Sequence, residues 1–279
     1  MIWAEPFVRH KRAETDMSPH SSPPIPVTTY GRAVVRGAKR VFLVHGAGMD
    51  QSIWTLQGRY LAFHGWNAFA VDLPGHGRAK AMEHLPDIES MADWLLSVVA
   101  DTGDGPATII GHSLGALVAL EAAARAPSQV AKLALLGAAA QMPVHPALLD
   151  LAREHDPKAV ELMVDWAFGM RGHIGGNPLP GGWLMGTARS LLLRGEPQVL
   201  ACDLEACDLY RNGPMSASKI ACPTLILIGG EDRMTPPAAG HELANLITDA
   251  TTVVIEPAGH MMMVECPDAT LDALKRFLD

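Results

Sequence analysis

The chain has 279 residues, enough for one large α/β domain or two small ones with a substantial core in either case. A hydrophobic fraction of 48% and a charged fraction of 19% exclude a largely disordered chain, and a net charge of -8 without any Lys/Arg-rich run argues against nucleic acid as a partner. No apolar stretch approaches the roughly 20 residues of a membrane-spanning helix, since even Leu114 to Ala126 is interrupted by Glu121 and Arg125, so no membrane partner is expected.

Residues 1–26 mix charges, Ser and Pro, including Ser21-Ser22-Pro23-Pro24 and Pro26, and read as an extended leader. Met1-Ile2-Trp3-Ala4-Glu5-Pro6 lacks the charged start, apolar centre and cleavage site of a secretory signal, which makes the cytoplasm the expected compartment. From Val34 onward, short apolar runs alternate with longer helical patterns, the signature of an α/β fold with a mostly parallel central sheet flanked by helices. The expected strands are Arg40–Val44, Asn67–Val71, Ala107–Ile110, Lys132–Leu136, Thr224–Ile228 and Thr252–Ile255, continuous apolar runs suited to burial on both faces. Helical spacing marks Ile53–Phe63, Ile88–Val99 and Leu114–Ala126 between the first four.

After Ala140 the rhythm changes to helical segments with no strand for roughly 75 residues, longer than an ordinary crossover. The expected organisation is therefore an α/β core at 27–140 and 220–279, with an inserted helical lid at 141–219. The cysteines, Cys202, Cys207, Cys222 and Cys266, lack the paired spacing of a zinc site and read as reduced and structural; no metal and no cofactor is expected.

The chemistry-bearing run is Gly111-His112-Ser113-Leu114-Gly115, which follows a buried strand directly and opens an Ala-rich helix. In that setting G-x-S-x-G marks a sharp turn that lifts Ser113 above the sheet edge, with glycines leaving room for strand and helix to pack closely. A serine hydroxyl needs a base, a carboxylate to orient the base and N–H groups for the oxyanion. His260, in Glu256-Pro257-Ala258-Gly259-His260 after the last strand, is the candidate base. Asp232, in Gly229-Gly230-Glu231-Asp232 after the preceding strand, is the candidate acid, with Glu231 as its rival. The oxyanion donors are the N–H groups of Leu114 and of Ala47 in the loop His45-Gly46-Ala47-Gly48, with Gly48 the alternative to Ala47.

Taken together these motifs resemble the α/β-hydrolase superfamily over about Val34 to Leu278, and Asp72-Leu73-Pro74-Gly75-His76-Gly77 looks like the family's turn after the next strand. In the family that run is usually structural, so Asp72 and His76 are left outside the site. The chain is similar to small lid-bearing members: carboxylesterases, enol-lactonases and carbon-carbon bond hydrolases. The resemblance implies a serine hydrolase that cleaves a carboxylic ester or lactone of a small, mainly apolar substrate through an acyl-enzyme on Ser113. A carbon-carbon hydrolase of diketones, a cofactor-free perhydrolase and a ligand-binding receptor are the alternatives, and monomer and homodimer stay equally open. The expected pocket residues are His45, Gly46, Gly48, Trp166, Trp183 and Met261, from the oxyanion loop, the lid and the turn after His260. Arg153, Arg171, Arg189 or Arg194 could read a substrate carboxylate if one pointed inward.

Overall fold

A computed structural model describes residues 26–176 and 182–279, so the expected leader lies outside the described residues apart from Pro26. The strands are β1 (Val27–Thr28), β2 (Arg40–Val44), β3 (Asn67–Val71), β4 (Ala107–His112), β5 (Val130–Leu136), β6 (Thr224–Gly229) and β7 (Ala250–Ile255). They form one sheet in the order β1-β3-β2-β4-β5-β6-β7. Every neighbouring pair is parallel except β1 with β3, where Val27 faces Val71 across an antiparallel step. The helices are α1 (Thr55–Phe63), α2 (Ile88–Asp101), α3 (Leu114–Arg125), α4 (Pro146–Arg153), α5 (Lys158–Ala167), α6 (Met170–His173), α7 (Leu184–Leu192), α8 (Pro197–Leu209), α9 (Gly213–Ser218), α10 (Pro237–Leu246), α11 (Met262–Glu265) and α12 (Pro267–Leu278).

β2, β3, β4 and β6 are buried along their whole length, as continuous apolar strands must be when helices cover both faces. The chain runs from β2 through α1 to β3 on one side, then through α2 to β4 on the other. Right-handed crossovers in opposite directions put α1 and α2 on opposite faces and make the gap between β2 and β4 the switch point of the sheet. α2 shows how its sequence sets its ends and its face. Asp87 caps it by accepting the Ser90 N–H at 2.7 Å, and Ile88, Met91, Leu95 and Val98 turn a buried stripe inward at helical spacing.

Between β5 and β6 the described residues contain α4 to α9 and no strand. In this insertion α4 packs on α5 and α8, and α5 packs on α7. Its far end is pinned to the core by a buried carboxylate: Tyr210 and Ser216 each donate a hydroxyl to Glu121 Oε2 at 2.6 Å, reaching across to α3. All four cysteines are free. Among the described residues no helix is long and apolar enough to cross a membrane.

Candidate active site

The loops after β2, β4, β5, β6 and β7 meet at one edge of the sheet, where open parallel sheets carry their ligands. Ser113 is the single residue between β4 and α3, with φ 55° and ψ −121°. A left-handed backbone at a residue with a Cβ costs about 1–3 kcal/mol and persists only where the surroundings impose it. They do so here: the Ser113 N–H donates to the Leu136 carbonyl at 3.0 Å, and both flanking glycines are sterically compelled. A Cβ on Gly111 would stand 2.2 Å from the Gly115 carbonyl oxygen, and one on Gly115 would stand 2.3 Å from that of His45.

His260 lies in the turn after β7, nearly fully buried, with Nδ1 2.8 Å from Asp232 Oδ2. Its backbone N–H donates to the Ala167 carbonyl at 2.8 Å, so the end of α5 holds this loop. Asp232 is itself fixed: Oδ1 accepts the N–H groups of Met234 and Thr235, and Oδ2 accepts the Thr235 hydroxyl at 2.7 Å. Burial alone would raise its pKa, but the His260 ring and these donors outweigh burial and hold the carboxyl below its ordinary value. The pair faces Gly137, where a Cβ would come within 2.9 Å of the imidazole on a backbone with φ +55°. Glu231 points elsewhere, its Oε2 accepting the Met170 N–H at 2.6 Å, so the neighbouring carboxylates are sorted by geometry.

His260 Nε2 is buried and has no hydrogen-bond partner among the described residues. His260 lines, with Ser113 and Ala47, one cavity of about 750 Å³ roofed by the insertion. Met142, Val144, Leu148, Met163, Trp166 and Leu204 make most of its wall apolar. Leu114 opens α3, where an N–H has no carbonyl one turn earlier to bond and carries the positive end of the helix dipole. On the facing loop the Gly48 N–H is committed to Asp203 Oδ2 at 2.7 Å, and Ala47 lines the cavity.

Of the expected pocket residues, Trp166 lines the cavity and five do not. The His45 ring is fully buried and tied at both nitrogens, Nδ1 to the Gly46 carbonyl at 2.9 Å and Nε2 accepting the Leu73 N–H at 3.1 Å. Gly46 packs against the elbow, its Cβ position 3.2 Å from Ser113 Cβ. Gly48 turns away under Leu192 and Leu200 and borders a second cavity of about 370 Å³. Trp183 is 69% exposed just before α7, and the Met261 side chain is buried in the core below the His260 turn. The four arginines considered as carboxylate readers are also outside the cavity: Arg153 bonds Glu205, Arg189 bonds Glu161, Arg194 pairs with Asp50, and Arg171 is exposed.

Comparisons with known proteins bear on the family and the fold. A model of the alpha/beta hydrolase family matches residues 41–273. The chain belongs to that family. Within the α/β hydrolases it is 32% identical over 259 residues to the pimeloyl-[acyl-carrier protein] methyl ester esterase of Neisseria meningitidis, covering 86% of this chain and 77% of the relative. A solved thermophilic esterase is 31% identical, with a TM-score of 0.73 over 87% of this chain and 90% of its own. The enol-lactonase of Burkholderia xenovorans shares the fold, at 24% identity and a TM-score of 0.76 over 87% of this chain and 92% of its own.

Three features of this α/β hydrolase escape sequence reading. His112, the second residue of the elbow motif, supports the His260 turn: its Nε2 lies 3.0 Å from the His260 carbonyl, and burial pushes its pKa down to about 3, so it is a neutral donor there. Arg233, next to Asp232, is the charged side chain on the cavity wall, half exposed beside Asp165 and His173. Its signal was adjacency to the acid, which carries no directional information. Lastly, among the described residues His76, His84 and Asp203 are the group whose side-chain atoms converge closely enough to suit a metal ion, yet the carboxylate already takes a hydrogen bond from each ring at 2.8 Å.

Proposed function

We propose that this α/β hydrolase is a serine esterase that cleaves a carboxylic ester or lactone of a small, mainly apolar substrate through an acyl-enzyme on Ser113. The observation that carries the reading is the buried imidazole of His260, oriented at Nδ1 by Asp232 and unpartnered at Nε2 on the cavity that Ser113 also lines. Nε2 takes the Ser113 proton as Oγ attacks the carbonyl carbon, and Asp232 stabilises the imidazolium. The N–H groups of Ala47 and Leu114 hold the oxyanion. Collapse passes the proton to the leaving alcohol oxygen, leaving an ester on Oγ. Water then attacks that ester, His260 takes its proton and returns it to Oγ, and the acid departs. The helices from α4 to α9 serve as the lid, supplying the apolar wall that excludes water and selects the acyl group.

The test is a panel of esters graded by acyl length, run beside lactones and ring-cleavage diketones and read with a serine-directed fluorophosphonate. Ser113→Ala is expected to abolish labelling and the acyl-enzyme burst with an activated ester. A burst that survives in that variant overturns the assignment, and turnover confined to the diketones overturns the ester reading.

A further inference from the structure

A second buried cluster sits on the other side of the oxyanion loop. Asp203, on α8, is fully buried, and its carboxylate accepts three hydrogen bonds: Gly48 N–H at 2.7 Å and His76 Nε2 at 2.8 Å on Oδ2, and His84 Nε2 at 2.8 Å on Oδ1. His76 Nδ1 lies 3.1 Å from the Pro74 carbonyl. Both ring nitrogens of His76 therefore face acceptors, which requires a proton on each and makes the ring an imidazolium paired with Asp203. The groups around it are the neutral His45 ring at 4.8 Å from the loop after β2, and His84 at 5.7 Å from its own loop. Asp203 comes from the insertion, His76 and His84 from the loop after β3, and Gly48 from the loop after β2.

We infer that Asp203 is a positioning residue for the oxyanion site, the insertion's hold on the loop that carries the Ala47 N–H. The reasoning is geometric. Gly48 has φ +65° and lies in a loop of small residues with wide backbone freedom. A charge-assisted bond to its N–H fixes the Ala47–Gly48 peptide plane, and with it the backbone of Ala47, whose own N–H is left for the substrate oxygen. Because the carboxylate arrives from α8, the oxyanion loop is set only while the insertion is seated. The cluster thus couples the cover of the cavity to the electrostatics of its floor.

This rests on the esterase reading, and the experiment separates the two. Asp203→Asn keeps the side-chain shape but supplies only one acceptor oxygen and no charge. Its expected effect on a good ester is a kcat lower by about 10 to 100-fold, short of the 100 to 1,000-fold of a deleted oxyanion donor, with KM within about twofold. The diagnostic readout is the rate ratio between that ester and its thionoester, since a developing thiolate-like sulfur accepts hydrogen bonds poorly. The ratio falls toward one if Asp203 acts through the oxyanion site, and stays at the wild-type value if the residue merely supports folding, which overturns the inference. Amide exchange read by NMR needs no substrate and no variant: a protected Gly48 N–H in the wild type supports the hold, and exchange at the rate of an open loop overturns it. A divalent metal bound stoichiometrically to the His76 and His84 rings in the purified protein also overturns it. A wild type inactive on every ester, with Gly48 protected and deprotected by Asp203→Asn, strikes the esterase reading alone.

Discussion

Two buried histidine–aspartate pairs flank the same edge of the sheet, each with an N···O separation of 2.8 Å, and they differ in what each leaves free. In the His260–Asp232 pair one ring nitrogen is oriented and the other has no partner, on a residue that lines the same cavity as Ser113. In the His76–Asp203 pair both ring nitrogens are used, one on the carboxylate and one on the Pro74 carbonyl, and the carboxylate is further spent on Gly48 and His84. The chemical capacity of such a pair therefore lies in the nitrogen that has no partner, and not in the ion-pair contact. His112 Nδ1 is also buried without a partner, but no carboxylate orients that ring and it does not line the cavity.

Exchanging the two losses is the strongest way to break the comparison. His260→Ala is expected to lower kcat by about 1,000-fold or more, because a missing general base removes proton transfer in both half-reactions, while the thermal midpoint falls less than in His76→Ala, since the Met234 and Thr235 N–H groups and the Thr235 hydroxyl still satisfy Asp232. His76→Ala should do the reverse. It leaves a buried Asp203 carboxylate short of its charged partner, a loss of about 3–5 kcal/mol in stability, with kcat reduced far less than in His260→Ala. Denaturant titrations beside steady-state kinetics on both variants decide it; a His76→Ala enzyme as stable as the wild type would remove the distinction.

The α/β sheet and the elbow were legible because both rest on local rules. β2 and β3 fall on the predicted bounds, Arg40–Val44 and Asn67–Val71, since a strand buried on both faces has no polar interruptions to blur its ends. β1 was not read, because two residues cannot show a period and its antiparallel pairing with β3 is a long-range choice. The predicted helix Ile53–Phe63 begins instead as a 3-10 turn at Gln51, set by Asp50 accepting the Ser52 N–H. Pocket residues were the least legible. Gly46, Gly48 and Met261 are neighbours in sequence of Ala47 and His260, which do line the cavity, but alternate peptide directions in a turn send them elsewhere. Asp203 gave no signal at all, since a lone carboxylate on a helix reads as solvated until its partners from two distant loops are in place.

A smaller effect sharpens the contrast through pH. Buried beside a carboxylate, His76 has its pKa raised, because the Asp203 charge outweighs burial; buried without a hydrogen-bonded carboxylate, His45 is pushed down to about 4 and His112 to about 3. Between about pH 6.5 and 4, His76 is protonated whether the chain is folded or not and adds no slope there. His45 and His112 stay neutral in the fold but take up protons on unfolding, so stability falls as the pH drops through that window, by up to about 1.4 kcal/mol per pH unit for each. Asp72 and Glu265, raised by burial, act in the opposite direction nearer the carboxylate range, which makes the difference between wild type and His112→Asn the clean measurement. The variant's unfolding free energy should be less steep in pH; equal slopes from urea titrations at pH 7, 6 and 5 would contradict the neutral assignment.

The smallest expected effect concerns what the open nitrogen acts on. Arg233 stands on an otherwise mainly apolar wall, and its charge is partly met by Asp165 and by the His173 ring. An exposed, partly neutralised guanidinium selects weakly, so Arg233→Met should lower kcat/KM for an ester whose acyl chain ends in a carboxylate by about 3 to 10-fold relative to the neutral ester of equal length, roughly 1 kcal/mol. The loss should appear in KM, since the group lies away from the oxygen on which charge develops and holds substrate and transition state alike. A change in kcat for the neutral ester would instead mean that Arg233 acts through its neighbour Asp232, and the wall would then carry no charge preference of its own.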